Sequence, residues 1–272
     1  MFLAMRLTLL VDNIAGEGLR AEHGLSFLIE TDSGSVVFDT GQTSAWLDNL
    51  AALGGDPADI KAIAISHGHY DHAGGMPAAF ENAAEAKYFA HPGCFEPRYA
   101  MSDGVLRYIG MPAEVIARRD SFVTNRTPMD LLPGVILSGE IHLRTGAHPQ
   151  NDRFMAGTEH LRKDTFEDEQ CLIVQTCDAT AVIAGCSHRG VENSVLAAMK
   201  AAGTQRIDLL MGGFHLGGAS EDRLDSLAEF LDKAVAGQIT CCHCTGREAY
   251  EHLHRKLGAR VTLGQSGMSW DV

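Results

Sequence analysis

One run of residues constrains this chain more than any other: Ser66-His67-Gly68-His69-Tyr70-Asp71-His72-Ala73-Gly74-Gly75. It follows directly on Ile60 to Ile65, a short β-branched and apolar stretch that reads as a buried strand. Three imidazoles and a carboxylate are thus gathered at a strand's end, just before two glycines turn the chain. His67 and His69 are two apart, so in extended backbone they point to the same side and can hold one ion. Asp71 and His72 come after the turn and face a second position. Two metal ions roughly 3.5–4 Å apart can share a water, lower its pKa and hold both the attacking and the leaving oxygen of a hydrolysed bond. Scattered surface-turn histidines would not collect at this density.

The remaining pattern is strand-rich. Apolar runs bounded by turn residues occur at Leu7 to Val11, Leu25 to Glu30, Ser35 to Asp39, Lys87 to Ala90 and Val135 to Ser138, and again at Cys171 to Thr176, Ala181 to Gly185, Ile207 to Met211 and Gln238 to His243. Spacing of three to four predicts helices over Ser44 to Leu53, Val191 to Ala202, Ser220 to Val235 and Arg247 to Leu257. Early hairpins followed by strand-helix alternation imply two packed sheets with helices outside, in an α/β or α+β architecture. No linker divides residues 1–272, which read as one domain. The stretch from about 94 to 169 has no clear period and reads as a lid-like insertion.

Composition narrows the partners. Lys plus Arg is 22 against 35 Asp plus Glu, a net charge of −13, the wrong sign for gripping a nucleic acid through its phosphates. The apolar runs fall far short of the roughly 20 residues of a membrane helix, so no membrane partner is expected. Met1 to Val11 lacks a small-residue cleavage site, and seven cysteines, an odd number with Cys241, Cys242 and Cys244 crowded together, do not form a disulfide framework. A reducing cytoplasm is the expected location. The adjacent cysteines also fail as a zinc knuckle, because neighbours on a strand face opposite ways and no second pair stands at finger spacing.

The His-x-His-x-Asp-His run resembles the hallmark of the metallo-β-lactamase superfamily, and Phe38-Asp39-Thr40-Gly41 resembles that family's first motif. The resemblance spans nearly the whole chain and implies an αββα sandwich of two mixed sheets, with Asp39 supporting the metal ligands from behind. Val11-Asp12-Asn13, Gly24 to Phe27, Gly185-Cys186-Ser187-His188-Arg189-Gly190, Gly212 to Leu216 and His243-Cys244-Thr245-Gly246 are similar to one branch of it. That branch includes 7,8-dihydropterin-6-methyl-(ribofuranosyl)aminobenzene-phosphate synthases and proteins described only as metal-dependent hydrolases.

Family sites usually add a third His after a middle strand, a bridging Asp after the next, and a final His near the carboxyl end. Here Glu140 stands in the first place and Cys186 in the second, while His188 follows in the same turn as Cys186 and His243 takes the final place. The resemblance implies that His67, His69 and His188 or Glu140 hold one ion, and that Asp71, His72 and His243 hold the other. Asp71 is also the candidate catalytic carboxylate. His215 is a candidate for metal, substrate or a supporting role. Zinc is the expected metal, with iron or manganese as alternatives.

Other histidines are read differently. His91 is placed at the pocket rim, His142, His148 and His160 in the insertion as solvated, and His252 and His254 on the surface of the last helix. Arg98, Arg107, Arg118, Arg119, Arg126, Arg144 and Arg153 cluster in the insertion of an otherwise acidic protein. They suit a phosphate- or carboxylate-bearing small substrate, or form an ordinary solvated face. Tyr99, Tyr108, Met101 and Met111 line a pocket or seat the insertion on the core.

The expected activity is hydrolysis of an ester, phosphoester or amide by a dinuclear-site hydroxide. A synthase joining a pterin to an aryl phosphate, and a non-catalytic metal-containing sensor of a small acidic ligand, are the alternatives. Gly-x-Ser-x-Gly and phosphate-binding glycine loops are absent from the sequence, which removes serine-hydrolase and nucleotide-binding readings.

Overall fold

The computed structural model describes residues 5–146 and 152–272. The first strands are β1 (Arg6–Val11), β2 (Ser26–Thr31), β3 (Gly34–Phe38), β4 (Ile60–Ala64) and β5 (Lys87–Ala90). Seven short ones follow: β6 (Arg98–Ser102), β7 (Val105–Tyr108), β8 (Phe122–Thr124), β9 (Met129–Leu132), β10 (Val135–Leu137), β11 (Phe154–Ala156) and β12 (Arg162–Lys163). The last are β13 (Leu172–Gln175), β14 (Thr180–Ala184), β15 (Ile207–Gly213), β16 (Val235–Cys242), β17 (Val261–Leu263) and β18 (Ser269–Asp271). Helices α1 (Ala45–Ala52), α2 (Tyr70–Ala73), α3 (Met76–Asn82) and α4 (Ala113–Ile116) belong to the first part of the chain. The second part carries α5 (Val191–Ala202), α6 (Glu221–Ala234) and α7 (Arg247–Leu257).

Two seven-stranded mixed sheets form, in the orders β18-β1-β2-β3-β4-β5-β8 and β17-β16-β15-β14-β13-β10-β9. Their inner faces meet in a core of alternating residues: Leu7, Leu9, Phe27, Ile29, Val36 and Phe38 from one, Leu172, Val174, Ile183 and Met211 from the other. The outer face of the first sheet buries Trp46 and Leu50 of α1 and Met76 and Ala79 of α3. The outer face of the second buries Val191 and Val195 of α5, Leu227 and Leu231 of α6 and Leu253 of α7. This is the αββα sandwich with outer helices. Strand alternation sends Cys241 to the helix-facing core and Cys242 to the core between the sheets, as the period of two requires. Among the described residues, no helix is long and apolar enough to cross a membrane.

Among its described residues, the region expected as an aperiodic insertion carries seven short strands, β6 to β12, set among turns. β8 extends the first sheet and β9 and β10 extend the second, while β12-β11-β6-β7 make a separate four-stranded sheet. These strands run two to five residues, and all four residues of β7 are exposed, so they carry no apolar alternation to detect. Arg98 is the main correction among the arginines. It is buried, with Nε 2.8 Å from Asp164 Oδ2 and Nη2 2.7 Å from Asp168 Oδ1, and so is neither solvated nor available to a substrate. Tyr99 meets Tyr108 edge-on, Tyr108 Oη donates to the Met111 carbonyl (2.6 Å) and Met111 is fully buried, so Tyr108 and Met111 seat this sheet on the core.

β3, β4, β5 and β8 run parallel, and so do β14, β15, β16 and β17. The turns leaving β3, β4, β14, β15 and β16 carry Asp39, the histidine run, Cys186 with His188, His215, and His243 with Cys244. Such carboxyl ends of parallel strands are where open α/β sheets place their ligands.

Candidate metal centre

These turns are sharp. Asp39, Ser187, His215 and His243 all have positive φ, between 46° and 60°, which side-chain-bearing residues rarely adopt. Such backbone strain gathers where a surrounding structure over-determines it. Close approach of the turns also demands glycine. A Cβ on Gly68 would lie 2.2 Å from the Cys94 carbonyl oxygen, and one on Gly185 would lie 2.3 Å from Ser66 Oγ.

Ligating atoms of His67, His69 and His188 lie within 4.8 Å of one another, and so do those of His23, Asp71 and His243. Cys186 forms further groups of this kind with His67 and His72, with His188 and His215, and with His243 and Cys244. His67 Nε2 is 3.0 Å from His69 Nδ1, and Asp71 Oδ2 is 3.2 Å from His23 Nε2 and 3.3 Å from His243 Nε2. Of these donors all but His67 and His72 line a cleft of ≈ 340 Å³, which Tyr70, Ser102, Arg107 and Arg153 also line.

Each donor is held from behind. Asp39 is fully buried and accepts from the Ser66 backbone N–H, from Ser66 Oγ (2.7 Å each) and from His72 Nδ1 (2.6 Å). With its proton given to Asp39, Ser66 Oγ accepts from His67 Nδ1 (2.9 Å), which leaves His67 Nε2 as a lone pair turned into the cluster. Asp12 Oδ1 accepts from the His243 N–H (2.7 Å), and Asn13 Oδ1 accepts from His243 Nδ1 (3.0 Å). Glu169 accepts from the N–H groups of His188 (2.6 Å) and Arg189 (2.7 Å), fixing that turn. Asp168 Oδ2 accepts from the Gly68 N–H (2.7 Å), so the Arg98 ion pairs reach the peptide between His67 and His69. Phe166 stacks on His188 with ring centroids 4.0 Å apart.

Protonation states favour ligation. Burial holds the His67 and His188 imidazoles well below their ordinary range and lowers His69 to about 3, so all three are neutral lone-pair donors. Burial opposes the Asp71 carboxylate, but hydrogen bonds from His23 and His243 outweigh it and keep it ionised. His72 goes the other way: burial opposes its charge, yet Asp39 prevails and raises it to about 9, so an ion at Nε2 must displace a proton. Among the described residues, His69 Nε2 and His215 Nδ1 are buried with no hydrogen-bond partner, a cost of about 1–3 kcal/mol each that a cation would relieve. The donor set thus fits divalent metal.

The expected residues are therefore brought together, with departures. His67, His69, Asp71, His72, His188 and His243 converge, Cys186 and His215 join them, and Asp39 stands behind. Glu140 does not join. Its carboxylate lies 3.6 Å from Arg126 Nη1 and 3.9 Å from His91 Nε2, and it enters none of the donor groups among the described residues. His188 supplies the third imidazole because its turn rides on the fully buried β14, whereas the turn after β10 faces Arg126. His91 is buried against Arg126 rather than at the rim, and His252 is buried on Asp225 (2.6 Å) rather than exposed. His142 and His160 are exposed as expected, while His148 lies outside the described residues. Sequence reasoning missed His23, Cys244, Asn13 and Glu169. Of these only Asn13 and Cys244 lay inside motifs already marked for the resemblance.

A family model described as the metallo-beta-lactamase superfamily matches residues 19–189. The 7,8-dihydropterin-6-methyl-4-(beta-D-ribofuranosyl)-aminobenzene-5'-phosphate synthase of Methanocaldococcus jannaschii is 30% identical over 261 residues, covering 86% of this chain and 88% of that protein. An uncharacterized protein of the same organism is 30% identical over 249 residues, 90% of this chain and 92% of its own. Among solved structures, Tm1679, described as a metal-dependent hydrolase of the beta-lactamase superfamily, is similar with a TM-score of 0.83 at 32% identity, covering 98% of this chain and 99% of that one.

Proposed function

This chain belongs to the metallo-beta-lactamase superfamily, and from that premise we propose that it is a metal-dependent hydrolase of a small anionic ester, phosphoester or amide, working in the cytoplasm. The observation that carries the reading is the convergence of two donor triads, His67/His69/His188 and His23/Asp71/His243, on one cleft. His72 and Cys186 lie between them, 3.1 Å apart. Two divalent ions, zinc by the nitrogen-rich donor set, would supply Lewis acidity and an activated water when bound.

The chain's own residues do the rest. Asp39 and Ser66 set which nitrogen of His72 and His67 faces inward, and Asn13 does the same for His243. Asp71, ionised and lining the cleft, is the residue we assign to proton handling beside the reacting atoms. Arg107 and Arg153 face the same cleft, and among the described residues neither has a carboxylate within ion-pair distance. These two guanidinium groups, with Arg153 stacked over the Phe154 ring at 4.7 Å, suit a phosphate or carboxylate on the substrate. The four-stranded sheet that carries them is then the specificity-bearing insertion.

The synthase reading is kept because the M. jannaschii relative carries that name, and the same two arginines would serve an aryl phosphate. One experiment separates the readings: elemental analysis of protein purified without added metal, beside His69→Ala, followed by turnover of phosphodiester and carboxylate-ester substrates. We expect about two transition-metal ions per chain, a loss in the variant, and metal-dependent turnover of an anionic ester. Bound metal without turnover, with tight binding of a reduced pterin, would favour the synthase. Metal-free protein unchanged by His69→Ala would remove the metal-enzyme reading altogether.

A further inference from the structure

The donors of this centre are of two chemical kinds, and its two sulfurs lie together. Among the described residues, Cys186 belongs to three of the five donor groups, with His67 and His72, with His188 and His215, and with His243 and Cys244, and no other residue belongs to so many. Its Sγ is 3.1 Å from His72 Nε2. Cys244 reaches the same spot from the turn after β16, its Sγ 3.6 Å from the Cys186 carbonyl oxygen. Space for that thiol is made by the strand between them: a Cβ on Gly213 would sit 2.6 Å from Cys244 Sγ. Among the described residues, only these two of the seven cysteines enter a donor group, although Cys94, Cys171, Cys241 and Cys242 are also buried.

We propose that Cys186 is the ligand shared between the two metal positions and that Cys244 is a second thiolate beside it, giving the centre one sulfur face opposite its imidazole and carboxylate face. The inference rests on the metal-centre reading above. A shared ligand must lie near the donors of both positions, and Cys186 meets His67 on one side and His243 on the other. Thiolate donors select zinc or iron over manganese and magnesium, which prefer oxygen. The centre is thereby specialised for a borderline metal rather than a hard one.

Cobalt(II) is the probe, since a cobalt–thiolate bond gives a near-ultraviolet charge-transfer band that imidazole and carboxylate ligands do not. We expect the reconstituted full chain to show the band, Cys244→Ser to keep the larger share of it, and Cys186→Asp to keep the cobalt while losing the larger share. Cys186→Asp should also raise manganese retention relative to zinc by roughly tenfold. Cobalt bound at the same stoichiometry with no band in the unaltered protein would overturn the thiolate assignment and leave the metal centre standing. Failure to bind cobalt at all would overturn both.

Discussion

Replacing Arg98 by methionine removes a charge while keeping most of the side chain's apolar length. Arg98 is 2% exposed, and its partners Asp164 and Asp168 are 8% and 1% exposed. Its Nε is 2.8 Å from Asp164 Oδ2, its Nη2 is 2.7 Å from Asp168 Oδ1, and its Nη1 donates to the Gly93 carbonyl at 3.1 Å. Arg98→Met therefore strands two buried carboxylates side by side, a change that costs about 3–5 kcal/mol when one partner of a buried pair is lost. For a chain of 272 residues that corresponds to a fall in melting temperature of about 5–9 °C. The sign with pH follows from the same geometry. Burial already raises the Asp164 carboxyl against the pull of Arg98, so without that cation the folded-state value rises further, and its share of the penalty stands above that value and shrinks as pH falls through it. Thermal unfolding followed by circular dichroism at neutral pH and near pH 5 measures both effects. A variant melting within about 2 °C of the parent at neutral pH, or a deficit that grows on acidification, would refute the argument.

Three further outcomes follow from the centre and its supports. Glu169→Gln leaves one of the His188 and Arg189 N–H groups without an acceptor and should cost about 1–3 kcal/mol by chemical denaturation. Because burial raises Glu169 from 4.5 to about 7, the parent loses stability as pH rises through that window and the amide does not, so the gap between them narrows there. Asn13→Ala removes the acceptor of His243 Nδ1 at an exposed position, so chelator competition should show metal affinity about 10–100-fold weaker with the fold retained. Arg107→Ala with Arg153→Ala should raise KM for an anionic ester about tenfold or more while leaving a neutral ester's KM unchanged.

The local signals were legible where they were dense. His67 and His69 share a face because they are two apart on extended backbone, and this needed no structure. Helices Val191–Ala202 and Arg247–Leu257 end where apolar spacing and glycine say they should. Asp39 was placed behind the candidate ligands by resemblance, and the structure sets its Oδ2 2.6 Å from His72 Nδ1. Glu140 misled because counting strands aligned the turn after β10 with a ligand position, whereas β10 lies toward the sheet's edge and its turn meets Arg126. Arg98 misled because a lone arginine in an aperiodic stretch carries no sign of the carboxylates more than sixty residues away.

The sequence alone determined the periodicities, and with them the layers: apolar alternation makes two-faced strands, and two-faced strands between amphipathic helices bury both faces only as a sandwich. It also determined one half of the candidate metal centre, since those donors are neighbours along the chain. The other half was decided by tertiary structure. His23, His188, His215, His243 and Cys244 meet Asp71 and Cys186 only because parallel strands of two sheets end at one edge, at a register set by packing between the sheets rather than by any spacing along the chain.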